Sequence, residues 1–135
     1  MKKDRKRIVI ALGGNAIKLP HQEGTYQEQF ANIRSASHHI LEFIKHGFEV
    51  VITHGNGPQV GNLLTQQEAG FPQVPAQPMD ICSAMTQGQL GYMLQQALTN
   101  ELKSYNLNFN VVTMITQVLV DREDPDFASP SKPVG

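Results

Sequence analysis

Arg7-Ile8-Val9-Ile10-Ala11-Leu12-Gly13-Gly14-Asn15 and Glu49-Val50-Val51-Ile52-Thr53-His54-Gly55-Asn56-Gly57 share one pattern, a short run rich in β-branched residues stopped by glycine. Such runs read as buried strands of a parallel sheet. Between them, about Tyr26 to His46 carries Phe30, Ile33, Ile40, Leu41 and Ile44 at helical spacing. Gly47 follows where a C-terminal cap belongs. Strand, helix, strand is the unit of a right-handed parallel α/β sheet.

Beyond the second strand, Pro58 suits the first turn of a helix running to about Ala69. Gly70 to Pro78 reads as a loop. Asp80 is placed to cap a long helix to about Tyr105, with Ile81, Met85, Tyr92, Leu98 and Leu102 on its apolar side. Asn106, Asn108 and Asn110 mark a turn, Asn110 to Val120 reads as a third strand, and the rest is loop-like. There is no internal repeat.

The bulk composition sets limits. The 135 residues suffice for one domain, and 40% hydrophobic against 17% charged content marks a globular chain. A formal net charge of -1 leaves no basic field to draw in nucleic acid. The one basic cluster, Lys2-Lys3-Asp4-Arg5-Lys6-Arg7, reads as a solvated tail. Cys82 is the single cysteine, which fits a reducing compartment, and the expected location is cytoplasmic. His21, His38, His39 and His46 have no metal-ligand spacing, so no metal site is assigned.

In open α/β sheets ligands bind beyond the carboxyl ends of strands. Both glycine-rich segments fall there. Gly13 and Gly14 would allow a turn with positive φ and let an anion approach the N–H groups, with Asn15 adding an amide donor. Gly55, Asn56 and Gly57 open a helix whose N-terminus offers free N–H groups and a positive dipole end. A dinucleotide fingerprint fits poorly, because Gly61 falls one residue late for G-x-G-x-x-G. A Walker A loop is excluded, since no Gly-Lys-Ser/Thr occurs.

His54 is a candidate acid or base, against a packed histidine that shapes the loop. Ala84, Gly88 and Gly91 would let another backbone approach the long helix, in the core or at a subunit interface. Gln87 either reaches the site edge or serves packing. On spacing alone, Lys132 is an exposed loop lysine.

Taken in order, Ile10-Ala11-Leu12-Gly13-Gly14-Asn15-Ala16 and Thr53-His54-Gly55-Asn56-Gly57-Pro58-Gln59-Val60-Gly61-Asn62 resemble the carbamate kinases of the amino acid kinase family. The resemblance continues through Met85-Thr86-Gln87-Gly88, Gly91-Tyr92, Thr116-Gln117-Val118, Val120-Asp121 and Lys132-Pro133-Val134-Gly135. It covers nearly the whole chain. Ala11 stands where acetylglutamate-kinase-like members place a lysine, which argues against a kinase for another small carboxylate.

The resemblance implies a three-layer α/β sandwich with a mainly parallel central sheet, here truncated. It implies reversible phosphoryl transfer between ATP and carbamate in carbamoyl phosphate catabolism, with Mg²⁺ delivered by the nucleotide and a homodimer at full length. By resemblance, Gly13, Gly14 and Asn15 would hold the phosphoryl group and Gly55, Asn56 and Gly57 the carbamate end. Lys132 would neutralise charge during transfer. Residues 1–135 would be the carbamate- and phosphoryl-binding part, with the nucleotide-binding half absent and the isolated chain inactive. A non-catalytic anion-binding or interaction module is the alternative.

Overall fold

The computed structural model describes residues 6–131. Lys2, Lys3, Asp4 and Arg5 of the basic tail, and Lys132, lie outside them. The order is β1 (Arg7–Leu12), α1 (Gly14–Ile17), α2 (Tyr26–Lys45), β2 (Glu49–His54), α3 (Gly57–Gly70) and α4 (Met79–Ser104), then a 3-10 turn at Pro125–Phe127. The chain divides into two compact units. One holds the residues up to Gly55 with Gln89–Thr113, the other Asn56–Gly88 with the residues from Met114 on.

In the first unit β1 and β2 pair in parallel, from Arg7↔Glu49 to Leu12↔His54. The first pair is also an ion pair, Arg7 Nη2 to Glu49 Oε2 at 2.9 Å, exposed and therefore worth little. The parallel sheet of the sequence reading is present, with one difference. The strands were expected to be buried on both faces, but burial alternates along each. Leu12 belongs to the core, and Ile10, Val50 and Ile52 pack against it. Val9 on the other face is 62% exposed, and Val51 is also exposed. Within this unit the described residues supply two layers, the sheet and one helical layer.

That core joins the sheet to Ile17, to Ile33, Ile40 and Leu41 of α2, and to Leu90, Met93, Leu94, Ala97, Leu98 and Leu102 of α4. The α2 face is the one its spacing predicts. The α4 face is only half so. Leu98 and Leu102 are buried, but Ile81 and Met85 are exposed and Tyr92 is 64% exposed. At about 100° per residue, Ile81, Met85 and Tyr92 form one stripe, opposite Leu90 and Ala97. The sequence reading merged two faces of a helix that is apolar nearly all round.

The helix ends are well specified. Thr25 caps α2 in a capping box, its Oγ1 accepting from Glu28 N–H while Glu28 Oε2 accepts from Thr25 N–H at 3.0 Å and Gly24 N–H at 2.8 Å. Gly24 sits at φ +88° with the Lys18 stem lying over it. The α2 C-terminus closes on Gly47, φ +86°, with Gly47 N–H to Ile44 O and Phe48 N–H to Phe43 O. The α4 C-terminus closes the same way on Asn106, φ 55°, with Asn106 N–H to Lys103 O and Leu107 N–H to Leu102 O. Both are Schellman closures. Asp80, expected as the α4 cap, lies inside the first turn, because the helix starts at Met79. Its charge still favours the positive dipole end.

The expected third strand, Asn110 to Val120, carries no strand hydrogen bonding. A strand exists only through a ladder partner, whatever its propensity. This segment is instead held by side chains. Gln95 Nε2 donates to Val111 O at 2.9 Å, and Thr113 Oγ1 donates to Gly91 O at 2.9 Å. Val112, Met114 and Val118 are exposed and Leu119 is 100% exposed.

Gly91 is buried where Thr113 meets α4, and a Cβ there would overlap the Thr113 side chain. Gly91→Ala is expected to lower the urea midpoint, because overpacking of about 1–3 kcal/mol outweighs the roughly 1 kcal/mol helix preference of alanine. Adding Thr113→Ser removes the overlapping methyl, keeps the hydroxyl, and should restore the midpoint.

The capping box makes a second, pH-dependent expectation. The Thr25 and then the Gly24 N–H groups hold the Glu28 carboxyl below its ordinary 4.5. A carboxyl with a lowered folded-state value stabilises fully above its unfolded value, and that stability is lost as pH falls through the folded one. Thermal midpoints should therefore fall more steeply below pH 4.5 in the wild type than in Glu28→Gln. Thr25→Ala should cost about 1 kcal/mol at neutral pH.

Candidate functional site

The parallel register fixes the site. Leu12 pairs with His54, so Gly13 and Gly55 leave neighbouring strands at the same level, at their carboxyl ends. Neighbouring strands run about 4.8 Å apart. Gly13 caps α1 with φ -69° and ψ 169°, and Ala16 N–H to Gly13 O at 2.9 Å closes the first turn. The N–H groups of Gly14 and Asn15 precede that bond and have no acceptor within the helix, as at any helix start. Gly13, Gly14 and Asn15 are all exposed.

The positive φ expected at Gly13 and Gly14 is absent. Positive φ occurs at Gly24, Gly47 and Asn106, and at none of Gly13, Gly14 and Gly55. A Cβ added at any of these three would meet nothing within 4 Å. Neither backbone conformation nor packing therefore demands glycine here. What the missing side chains leave is open space over backbone N–H groups. In contrast, Gly24 and Gly47 need their conformation and Gly91 its lack of volume.

His54 is half-buried, and its Nδ1 lies 3.1 Å from Gly55 O. A carbonyl only accepts, so Nδ1 carries the proton. The ring braces the loop, in line with the packed reading.

In the second unit, Asn56 is the N-cap residue of α3 but does not cap it. Its Nδ2 donates to Thr86 Oγ1 at 2.7 Å, Ser83 Oγ at 3.2 Å and Ser83 O at 3.3 Å. Thr86 is fully buried, and its Oγ1 donates to Ser83 O at 2.9 Å. Gly57 and Pro58 form the first two positions of α3, and Val60 N–H to Asn56 O is the first helical bond. Gln87 turns its amide to the chain after α4, with its Oε1 accepting from Thr116 N–H at 2.9 Å. It serves packing.

Thr86 and Ser83 escaped the sequence reading, because a hydroxyl within an apolar helix looks like any other core position. The spacing i, i+3 was the available sign. Lys132 lies outside the described residues, so its place relative to the loops is not drawn.

Among the described residues no group of three or more His, Cys, Asp or Glu could hold a metal, and no helix is long and apolar enough to cross a membrane. Two surface hollows of about 380 and 370 Å³ lie along α2 and are lined in part by Arg34 and Glu101. Neither includes a residue of the glycine loops.

This geometry can be set beside known proteins. The carbamate kinase of Pyrococcus furiosus is 55% identical over 132 residues, and that of Thermococcus kodakarensis 56% over 133; each match covers 96% of this chain and 42% of the relative. The solved structure of carbamate kinase from Giardia lamblia bound to AMP-PNP superposes with a TM-score of 0.93 at 44% identity. It covers 97% of this chain and 46% of that one. The chain thus spans less than half the length of the relatives it matches. The amino acid kinase family model matches residues 6–126, which takes in both strands, both glycine loops and the long helix beside them. A match of that extent, on the geometry just described, means that the chain belongs to the amino acid kinase family.

Proposed function

We propose that this chain supplies the carbamate- and phosphoryl-binding part of a carbamate kinase, which moves a phosphoryl group between carbamoyl phosphate and ADP. The observation that carries the reading is the pair of glycine loops. Gly13, Gly14 and Gly55 are open and uncrowded, Gly13 and Gly55 follow paired residues at the carboxyl ends of two parallel strands, and nothing in the fold requires glycine at these three positions. The similarity to carbamate kinases at 55–56% identity supplies the substrate class.

In this reading Gly13, Gly14 and Asn15 hold the phosphoryl group by N–H groups and the asparagine amide. Gly55, Asn56 and Gly57 hold the carbamate end. Toward ATP, the bond from carbamate oxygen to phosphorus breaks as an oxygen of the ADP β-phosphate bonds to phosphorus. Carbamate leaves and decomposes to ammonia and carbon dioxide. No covalent nucleophile is needed, and catalysis consists of positioning and charge stabilisation. Lys132 is assigned the countercharge.

The N–H groups of Gly14 and Asn15, with open space at Gly13 and Gly14, fit a phosphoryl group. The loops contribute no acidic cluster, so Mg²⁺ is assigned to the nucleotide phosphates rather than to these residues. When bound, the nucleotide and its metal supply the phosphoryl acceptor and neutralise charge on the transferring oxygens. The nucleoside pocket is assigned to sequence other than these residues, and the working enzyme to a cytoplasmic homodimer.

Calorimetric titration of the chain with carbamoyl phosphate tests this. Gly14→Val should weaken binding about tenfold or more by filling the approach to the N–H groups, at a stability change within about 0.5 kcal/mol. In the longer protein it should abolish ATP formation from carbamoyl phosphate and ADP. A wild-type chain that binds no carbamoyl phosphate overturns the reading. Binding that persists in a longer protein without turnover assigns the fold to a non-catalytic anion-binding module.

A further inference from the structure

Within the second unit, the Asn56 amide has a defined polarity, and Thr86 is what defines it. The Thr86 hydroxyl has one proton, given to Ser83 O at 2.9 Å. Toward Asn56 it can therefore only accept. Ser83 O, 3.3 Å from the same amide nitrogen, is a carbonyl and also only accepts. Turning the amide over would set its oxygen 2.7 Å from the Thr86 oxygen and 3.3 Å from the Ser83 carbonyl, with no proton between either pair; the Ser83 hydroxyl, 3.2 Å away, can face either end of the amide and does not decide. Full burial of Thr86 removes water as a substitute donor. The two N–H bonds of Asn56 are thus held against α4. The opposite end of the amide is the carbonyl oxygen, an acceptor that none of these contacts uses.

We propose that Thr86, with Ser83, is a positioning residue that sets Asn56 to offer an acceptor, so that this subsite selects a substrate bearing N–H on the carbon next to its oxygen. The proposal rests on the carbamate reading and deepens it. Carbamate and carbamoyl phosphate carry an NH₂ group that can donate to Asn56 Oδ1. Acetyl phosphate has a methyl group of nearly the same size in that place and cannot. A polar group built to receive a hydrogen bond rejects the analogue that lacks it. For a half-buried neutral bond the preference is about three- to tenfold.

The test is calorimetric titration of the whole chain with carbamoyl phosphate and with acetyl phosphate, in the wild type, Thr86→Ser and Thr86→Val. The wild type is expected to prefer carbamoyl phosphate. Thr86→Ser keeps the hydroxyl and should keep the preference. Thr86→Val removes the nearer of the two acceptors, 2.7 Å against 3.3 Å for Ser83 O, loosens the hold on the amide, and should lower the ratio by weakening carbamoyl phosphate alone. A merely structural threonine would lower stability and move both affinities together. An unchanged ratio in a folded Thr86→Val, or no preference in the wild type, overturns the proposal while leaving the carbamate reading intact. A wild type that binds neither compound overturns the carbamate reading itself.

If Thr86→Val does not fold, hydrogen exchange of the Asn56 side-chain NH₂ in the wild type decides the matter. Slowed exchange of both protons, seen by nitrogen-15 NMR, is expected. Exchange as fast as that of an exposed asparagine overturns the proposal.

Discussion

The parallel pairing of β1 with β2 is the constraint on which the rest depends. A parallel pair cannot be closed by a tight turn; its connection must travel the length of the strands and return. The twenty residues of α2 make that return, and their apolar side must then face the sheet. The same pairing brings the two strand ends out together, which is why Gly13 and Gly55 are neighbours although 42 residues separate them in sequence. A slip of β2 by one residue against β1 would turn Val50 and Ile52 away from the helices and Val51 toward them. It would also move the two loops out of level. Core packing thus fixes the site geometry without any contribution from the loops themselves.

The helix ends serve this arrangement more than they serve the helices. The Schellman closures at Gly47 and Asn106 stop α2 and α4 and send the chain on at a set angle. In α2 the next residue of the turn, Phe48, stacks edge-on against Phe43 with ring centroids 6.2 Å apart, and then β2 begins. At the other end the capping box fixes where α2 starts relative to α1. Asn32 Nδ2 adds a bond to Ile17 O at 2.9 Å, so the turn following the first glycine loop is tied to the core helix. Exposed loops are usually the mobile part of a fold. Here the residues on both sides of the first one are anchored.

What the sequence showed, and what it hid, follows from the range of each interaction. The two strands, the α2 face and the Gly47 closure rest on contacts between near neighbours or on a clean period, and all were readable. The α4 face was not, because Ile81, Met85 and Tyr92 are as apolar as Leu90 and Leu94. Periodicity carries no signal when both sides are greasy. The run from Val111 to Val120 has the composition of a strand, but a ladder needs a partner that composition does not supply. Asn56 was readable as a loop residue and not as a donor to Thr86, thirty positions away. The glycine loops do follow the strand ends, but the positive φ expected at Gly13 and Gly14 was a mistake.

That mistake sharpens the argument from glycine. A glycine whose φ is positive, or whose Cβ would strike a neighbour, explains itself by the fold, as Gly24, Gly47 and Gly91 do. A glycine with ordinary φ and empty space above it costs conformational entropy, about 0.5–1 kcal/mol against alanine in regular structure, with no structural return. Three such glycines, Gly13, Gly14 and Gly55, stand together at one edge of the sheet. In the proposed function the benefit is access, for a small anion, to backbone N–H groups. Asn56 differs in kind. Within the second unit its amide nitrogen is committed to Thr86 and Ser83, so in the proposed reading what it would supply is direction rather than access.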